Sequence, residues 1–302
     1  MKPIADIRLY TSAAPSAEGQ PFPQELACRE HSITLRRAGL RLREEGFSLG
    51  DFDHLYLNLT PALPEDAAQL SPAQAAALAA GEKANTLDRE QKYVLNYIIR
   101  FITRIPGVEV TTDRAAVISA LTPTHEQVLQ DGGISPKMLR RAQQVHGNRV
   151  ALVGDIGCSF PVEGVDALYC GGKADCCLGI YVADCAAVWI YDQASGSRGL
   201  AHSGKLGTQQ NIVGELLQAM HKTLGVNAAD CIAVISPCIR PPHYEVDIPS
   251  AIKAQLTKAG ILSENIIDSG LDTAADTQTF YSYRIEKGNT GRMLALFGRK
   301  PE

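Results

Sequence analysis

The sequence predicts an α/β (α+β mixed) fold: a mixed β-sheet core flanked by helices, in a single layered domain. Three observations carry that expectation. From Val108 onward, short apolar runs alternate with turns rich in Gly, Asp and Ser, the punctuation of strands. Amphipathic stretches at Gln210–Leu224 and Ile248–Ala259 interleave with those runs, as helices covering a sheet do. No internal repeat and no linker divides the 302 residues, so residues 1–302 read as one domain. Within it, 1–107 form a divergent N-terminal part and 108–302 the part bearing the candidate site.

Residues 4–60 read as short strands and turns, with apolar alternation at Ile33–Leu42 and Leu55–Leu59. Ala62–Gly81 is rich in Ala, Pro, Glu and Gln and carries the helix-start pair Ser71-Pro72, which suggests an exposed helical insertion. Leu87–Ile105 places Val94, Leu95, Ile98, Ile102 and Ile105 at helical spacing, and Pro106-Gly107 would end that helix. Strands are then expected at Val108–Val110, Ala115–Leu121, Val150–Val153, Ala167–Tyr169, Leu178–Tyr191, Gly199–Ala201, Cys231–Ile235 and Arg292–Phe297. Leu178 to Trp189 is so continuously apolar that it reads as one strand buried on both faces.

Composition narrows the function classes. The chain is 45% hydrophobic and 21% charged, ordinary values for a soluble globular protein. A net charge of -4 gives no electrostatic footprint for nucleic acid or an anionic membrane. No window reaches the roughly 18 apolar residues of a membrane span, since Asp184 interrupts the best one. The N-terminus has no apolar core of a signal peptide, and the eight cysteines contain no C-x-x-C pair. Free thiols in the cytoplasm are the expectation.

The chemistry is expected around residues 179–208. Asp184-Cys185 sits inside the apolar run, where an unpaired charge is costly. A hairpin-like turn at Gln193–Arg198 leads to a strand ending at Ala201-His202, and Ser203–Thr208 then turns into a helix. Upstream, His146 stands just before a strand and is followed by Gly147. His146, Cys185 and His202 are three ligand types that suit a catalytic metal site with an open position. Cys185 and His202 also suit a nucleophile and its base, and the spacing alone equally fits a core thiol with two capping histidines. Asp184 can orient a histidine, carry a proton, or be a buried acid satisfied by a backbone turn. Arg240, in the proline-rigid turn Ser236–Val246, has the fork that binds phosphate or carboxylate. Tyr283-Arg284 and Gly291-Arg292-Met293 supply aromatic and basic residues that could line a pocket for a flat base.

Five landmarks in order resemble one family, the bacterial purine nucleoside phosphorylases long labelled laccase-domain or multicopper polyphenol oxidase. They are Gln144-Val145-His146-Gly147, Ala183-Asp184-Cys185, Ala201-His202-Ser203-Gly204, Ser236-Pro237-Cys238-Ile239 through Tyr244-Glu245-Val246, and Tyr281-Ser282-Tyr283-Arg284 through Gly291-Arg292-Met293. The similarity covers roughly residues 140–298. The first hundred residues match only at Ile33-Thr34-Leu35-Arg36 and Leu57-Asn58-Leu59.

The resemblance implies zinc on His146, Cys185 and His202, with Asp184, Cys185 and His202 as the catalytic group. It implies phosphorolysis of adenosine and inosine to base and ribose 1-phosphate, with adenosine deamination as a second activity. Purine nucleoside and phosphate are the implied partners, with Lys205, Arg240, Tyr283 and Arg284 near them. Three departures stand out. The family's Trp-Arg after its His-Ala-Gly is Lys205-Leu206, so Lys205 or Arg240 is expected to meet the anion. The proline after its Cys is Ala187, and its late Cys-Thr is Asp272-Thr273. Copper-dependent phenol oxidation competes with this reading under the family's older label, although seven histidines are few for a multicopper centre. The residues also suit a metal-free Cys-His hydrolase or a non-catalytic nucleoside-binding protein.

Overall fold

A computed structural model describes residues 4–10, 25–26, 54–60, 97–105, 107–131, 133–154, 161–192 and 194–299. The strands are β1 (Ile4–Tyr10), β2 (Glu25–Leu26), β3 (His54–Thr60), β4 (Tyr97–Ile102), β5 (Leu139–Arg141), β6 (Val150–Leu152) and β7 (Ala167–Cys170). They continue with β8 (Cys177–Val182), β9 (Ala186–Asp192), β10 (Arg198–Ser203), β11 (Cys231–Ile235), β12 (Ile266–Asp268) and β13 (Met293–Arg299). The helices are α1 (Arg114–Asp131), α2 (Lys205–Gln209), α3 (Ile212–Leu224) and α4 (Ile248–Lys258).

Among the described residues these strands form two mixed sheets. One runs β2-β1-β3-β4-β13-β8-β5 and the other β12-β11-β9-β10-β7-β6. The pairs β5–β8, β6–β7 and β11–β12 are parallel and the rest antiparallel. The expected mixed α/β architecture is what the chain adopts.

Strand β9 shows how the layers are held. Ala187, Trp189 and Tyr191 face the other sheet, while Ala186, Val188 and Ile190 face helices α3 and α4. Both faces are therefore apolar, which is why the sequence shows a continuous run instead of alternation. Trp189 is fully buried, donates its indole N–H to the Leu296 carbonyl at 3.0 Å, and meets Phe101 edge-on at 6.1 Å. On the helical side, Ile212, Val213, Leu216, Leu217 and Met220 of α3 repeat at the spacing of one buried stripe. Gly225 closes α3 in the left-handed region at φ 70°, and His221, in the last turn of the helix, lies 2.9 Å from the Val226 carbonyl.

Four sequence expectations are corrected. The run from Leu178 to Trp189 is two strands in two sheets. Strand β8 belongs to the first, β9 to the second, and Ala183-Asp184-Cys185 is the crossing between them. Asp184 makes the crossing with φ 79°, a conformation few residues other than Gly adopt without strain. Leu87–Ile105 is not a helix over its described part. Tyr97–Ile102 is β4, paired with β3 and β13, and its Phe101 and Ile102 are buried in the core. Ala115–Leu121 lies in α1, not in a strand; Asp113 caps its start, accepting from the N–H groups of Ala115 (2.8 Å) and Ala116 (3.3 Å). Val108–Val110 is in no strand. Ile33–Leu42, Ala62–Gly81 and the first ten residues of Leu87–Ile105 lie outside the described residues.

Candidate metal centre and its pocket

The centre is assembled around Asp166, a carboxylate with no exposed surface at the head of β7. Its Oδ1 accepts from the His146 N–H at 2.9 Å and lies 2.8 Å from His202 Nδ1. Its Oδ2 accepts from Gly147 N–H at 2.8 Å and Val145 N–H at 3.2 Å. Burial alone would raise this carboxyl; the bonds from His202 and from the Gly147 and His146 amides hold it below its ordinary value. One buried acid thus fixes the loop bearing His146 and the ring of His202 together. With Nδ1 engaged, His202 turns Nε2 toward the thiol.

The His146 loop is strained. Gln144 and His146 both sit at φ 63°. The Gln144 amide stands in for a strand residue beside β8, accepting from Tyr181 N–H at 3.0 Å and donating to the Tyr181 carbonyl at 2.5 Å. Such conformations persist only where surrounding bonds over-determine them, and here they do.

Cys185 follows Asp184 in the crossing and directly precedes β9. His146, Cys185 and His202 offer ligand atoms that all lie within 4.8 Å of one another. One ion can close that spacing at Zn–N and Zn–S lengths of about 2.0–2.3 Å. Space has been kept for it. A Cβ on Gly204 would stand 2.7 Å from Cys185 Sγ and 3.4 Å from His146 Cδ2. The donor chemistry agrees as well: burial would raise the Cys185 thiol, but His202 and His146 overturn that and bring it to about 6. His202, which burial would lower, is raised to about 9 by Cys185 and Asp166. The group fits a metal.

All three donors line a cavity of about 720 Å³. Asp184, Lys205, Tyr283, Arg284 and Arg292 line it too, so the structure brings together eight of the nine candidate side chains singled out from the sequence. Asp184 is buried, accepting from Thr273 Oγ1 at 2.7 Å and from the Arg284 N–H at 2.6 Å. Thr273 of the divergent Asp272-Thr273 pair is thus what holds it, while Asp272 lies 2.7 Å from His243 Nδ1. Lys205 Nζ donates to Glu245 at 2.9 Å, and Arg284 lies 3.5 Å from the same carboxylate. Tyr283 is 55% exposed at the rim, and the Arg284 guanidinium lies 5.4 Å from the Tyr244 ring centre.

Arg240 does not join them. Its guanidinium is paired with Asp268 and donates through Nε to the Leu271 carbonyl at 2.9 Å, outside the cavity lining. Residues the sequence did not single out complete the site: Asp166, Arg114 and Gln144. The signal for Asp166 was present, an acid directly before a strand that is apolar throughout. Arg114, at the head of a helix read as a strand, gave none.

Known proteins resemble this chain in sequence and in fold. The family model described as multi-copper polyphenol oxidoreductase laccase matches residues 107–249 and 243–300. A purine nucleoside phosphorylase of Staphylococcus saprophyticus is 26% identical over 261 residues, covering 72% of this chain and 98% of the relative. The purine nucleoside phosphorylase YlmD of Bacillus subtilis is 31% identical over 195 residues, covering 53% of this chain and 70% of the relative. The crystal structure of YlmD from Geobacillus stearothermophilus superimposes with a TM-score of 0.60 at 24% identity, covering 68% of this chain and 93% of that one. YfiH of Bacillus licheniformis gives 0.60 at 22%, covering 67% and 92%. Both structures speak to the fold. Matched from residue 107 almost to its end, the chain belongs to the multi-copper polyphenol oxidoreductase laccase family, and its relatives include enzymes named purine nucleoside phosphorylase.

Proposed function

We propose that the chain is a zinc-dependent purine nucleoside phosphorylase acting on adenosine and inosine. The observation that carries the proposal is the convergence of His146, Cys185, His202 and Asp184 on one cavity, in a family whose relatives bear that name. In the reaction an oxygen of monohydrogen phosphate bonds to C1′ of the ribose as the C1′–N9 bond breaks. The electron pair leaves with the base, and the proton lost by the phosphate is the one the base takes up. Asp184 is assigned as the relay for that proton, since its two fixed bonds leave lone pairs on a carboxylate facing the cavity. Tyr283 and Tyr244 offer ring faces to the purine, and Lys205 and Arg284 are assigned to the substrate. Arg240 is assigned no substrate contact. Bound zinc would supply Lewis acidity at the open position. Replacement of the C6 amino group of adenosine by water, releasing ammonia, is proposed as a second activity. A cytoplasmic setting suits the free thiols of all six described cysteines.

Zinc is favoured over copper because, among the described side chains, only His146 and His202 of the histidines line the cavity, and a multicopper centre needs more. One observation favours a second reading: Cys185, His202 and Asp166 also stand in the order of nucleophile, base and orienting acid. Metal content separates the two. About one zinc per chain, absent from Cys185→Ala, is expected of the phosphorylase. Adenosine and inosine are then assayed with and without phosphate, with ribose 1-phosphate followed by phosphorus NMR. Free ribose formed regardless of phosphate would overturn phosphorolysis, and oxygen uptake with a phenol and added copper would support the oxidase.

A further inference from the structure

We propose that Arg114 and Arg292 form an anion subsite of this cavity, built for inorganic phosphate. The proposal rests on the phosphorolysis reading for the identity of the anion, but its residues are chosen on separate grounds.

The loop after His202, where the resemblance places the anion, is already neutralised. Lys205 gives its charge to Glu245, which Arg284 also approaches. At Arg114 and Arg292 the situation is reversed. Arg114 heads α1 and Arg292 immediately precedes β13, so distant parts of the chain bring two half-buried guanidinium groups to one wall. Their bonds go to neutral acceptors. Arg114 donates to the Gln143 carbonyl at 2.9 Å and to Gln144 Oε1 at 3.2 Å. Arg292 donates through Nη1 alone, to the carbonyls of Thr290 (3.1 Å) and Gly291 (2.8 Å). Among the described residues neither has a carboxylate partner, in contrast to Arg104, paired with Glu286, and Arg240, paired with Asp268.

Those bonds orient the two forks without satisfying their charge. On Arg292 they leave the Nε and Nη2 edge, the edge that grips an oxyanion bidentately. Burial lowers both guanidinium groups, and Arg114 lies near enough to lower Arg292 further. Two desolvated like charges side by side are unfavourable until an anion joins them. Arg292 is also within electrostatic reach of Cys185 and Asp184, and Arg114 of Asp166, so the subsite adjoins the centre. A tetrahedral dianion held there shares the cavity with the proposed proton relay, Asp184.

The test uses the full chain as purified, with Arg114→Gln and Arg292→Gln, and with Arg114→Lys and Arg292→Lys to keep the charge without the fork. Thermal melts and metal content check that each variant is folded and loaded. In wild type, phosphate is titrated by phosphorus NMR, and its KM is measured at saturating nucleoside. Each Gln variant is expected to raise the phosphate KM about tenfold or more, as for loss of a charge-assisted pair, with the nucleoside KM little changed. Lys variants should fall between. Unchanged phosphate KM in folded Gln variants overturns the subsite and leaves phosphorolysis standing. If wild type releases free ribose whatever the phosphate, phosphorolysis fails; the NMR titration then decides the subsite alone, supported if binding disappears in the Gln variants and overturned if wild type binds none. Adenosine 5′-monophosphate is run as a second probe. Binding of the nucleotide but not of inorganic phosphate overturns the assignment.

Discussion

Asp166→Asn is the sharpest probe of how the centre is held. The wild-type carboxylate accepts from three backbone amides and faces one imidazole nitrogen, two partners to each oxygen. An asparagine that keeps its oxygen toward His146 and His202 must turn its own N–H groups toward the amides of Val145 and Gly147. Two buried donors then face donors. At about 1–3 kcal/mol for each unsatisfied buried group, the expected cost to the metal-free protein is roughly 2–4 kcal/mol, a fall in Tm of about 5 °C or more. The metal feels it too, because both histidines depend on that one side chain. Loss of an outer-sphere partner typically weakens a metal site 10–100-fold, and the upper part of that range, about 2–3 kcal/mol, is expected here. Thermal melts of the metal-free protein and zinc titration against a competing chelator measure the two effects separately. A variant melting as wild type does and holding zinc within about twofold would refute the reasoning, since the four contacts could not then be what fixes the ligands.

Gly204→Ala adds a methyl 2.7 Å from Cys185 Sγ at a backbone φ of −91° that alanine accepts. Metal content should fall sharply while the melt of the metal-free protein moves little; retained zinc would mean that the thiol simply shifts. At Asp184, φ 79° separates fold from chemistry. Asp184→Asn and Asp184→Gly should fold better than Asp184→Ala, by roughly 1–2 kcal/mol for the left-handed penalty, while all three lose turnover. Equal melts for Gly and Ala would refute the strain argument. Asp268 is predicted to carry an acid-dependent part of stability. Burial would raise it, but Arg240 and Lys253 bring it to about 2 from an ordinary 3.8. A depressed carboxyl stabilises above its unfolded pKa and loses that stability as pH falls through the folded one. Asp268→Asn should therefore cost about 2 kcal/mol at pH 7 and progressively less from about pH 4 down to pH 2, read from denaturant melts across that range.

Much of the site was legible because its donors are rare residue types set in distinctive local frames. His146 before Gly147, Cys185 after Asp184 and His202 before Ser203-Gly204 could be picked out one by one, and they do meet. Helices α3 and α4 and strands β7, β10, β11 and β13 followed from periodicity and turn residues in the same way. Two kinds of feature escaped. A run apolar on both faces carries no phase, so nothing in Leu178–Trp189 said that the chain leaves one sheet at Val182 and enters another at Ala186. The clue was Asp184 itself: an acid placed inside such a run marks a break in it more readily than a buried charge within it. The other feature is pairing at long range. Tyr97–Ile102 has apolar residues that satisfy a helical spacing, and only its place between β3 and β13 makes it a strand. Arg240 failed for the same reason. The local turn could not show that Asp268, 28 residues further on, takes up its charge.

In the proposed phosphorolysis, the arrangement of charge around the cavity is the reason to assign the anion to Arg114 and Arg292. Breaking the C1′–N9 bond leaves positive charge on the ribose, which a carboxylate or thiolate nearby stabilises. The same negative groups repel a phosphate dianion. A site that kept only Asp184, Cys185 and Asp166 would favour the developing ribosyl cation and exclude its nucleophile. A site with its arginines paired internally would do neither. This chain brings the two near each other without pairing them: its acids are bound by neutral or histidine donors, and its two cavity arginines by neutral acceptors. Lys205 and Arg284, tied to Glu245 at the exposed mouth, have no such reserve. The replacement of Trp-Arg by Lys205-Leu206 therefore shifts a rim charge by one position into the grip of Glu245 and leaves the interior pair intact, as the proposed phosphorolysis requires.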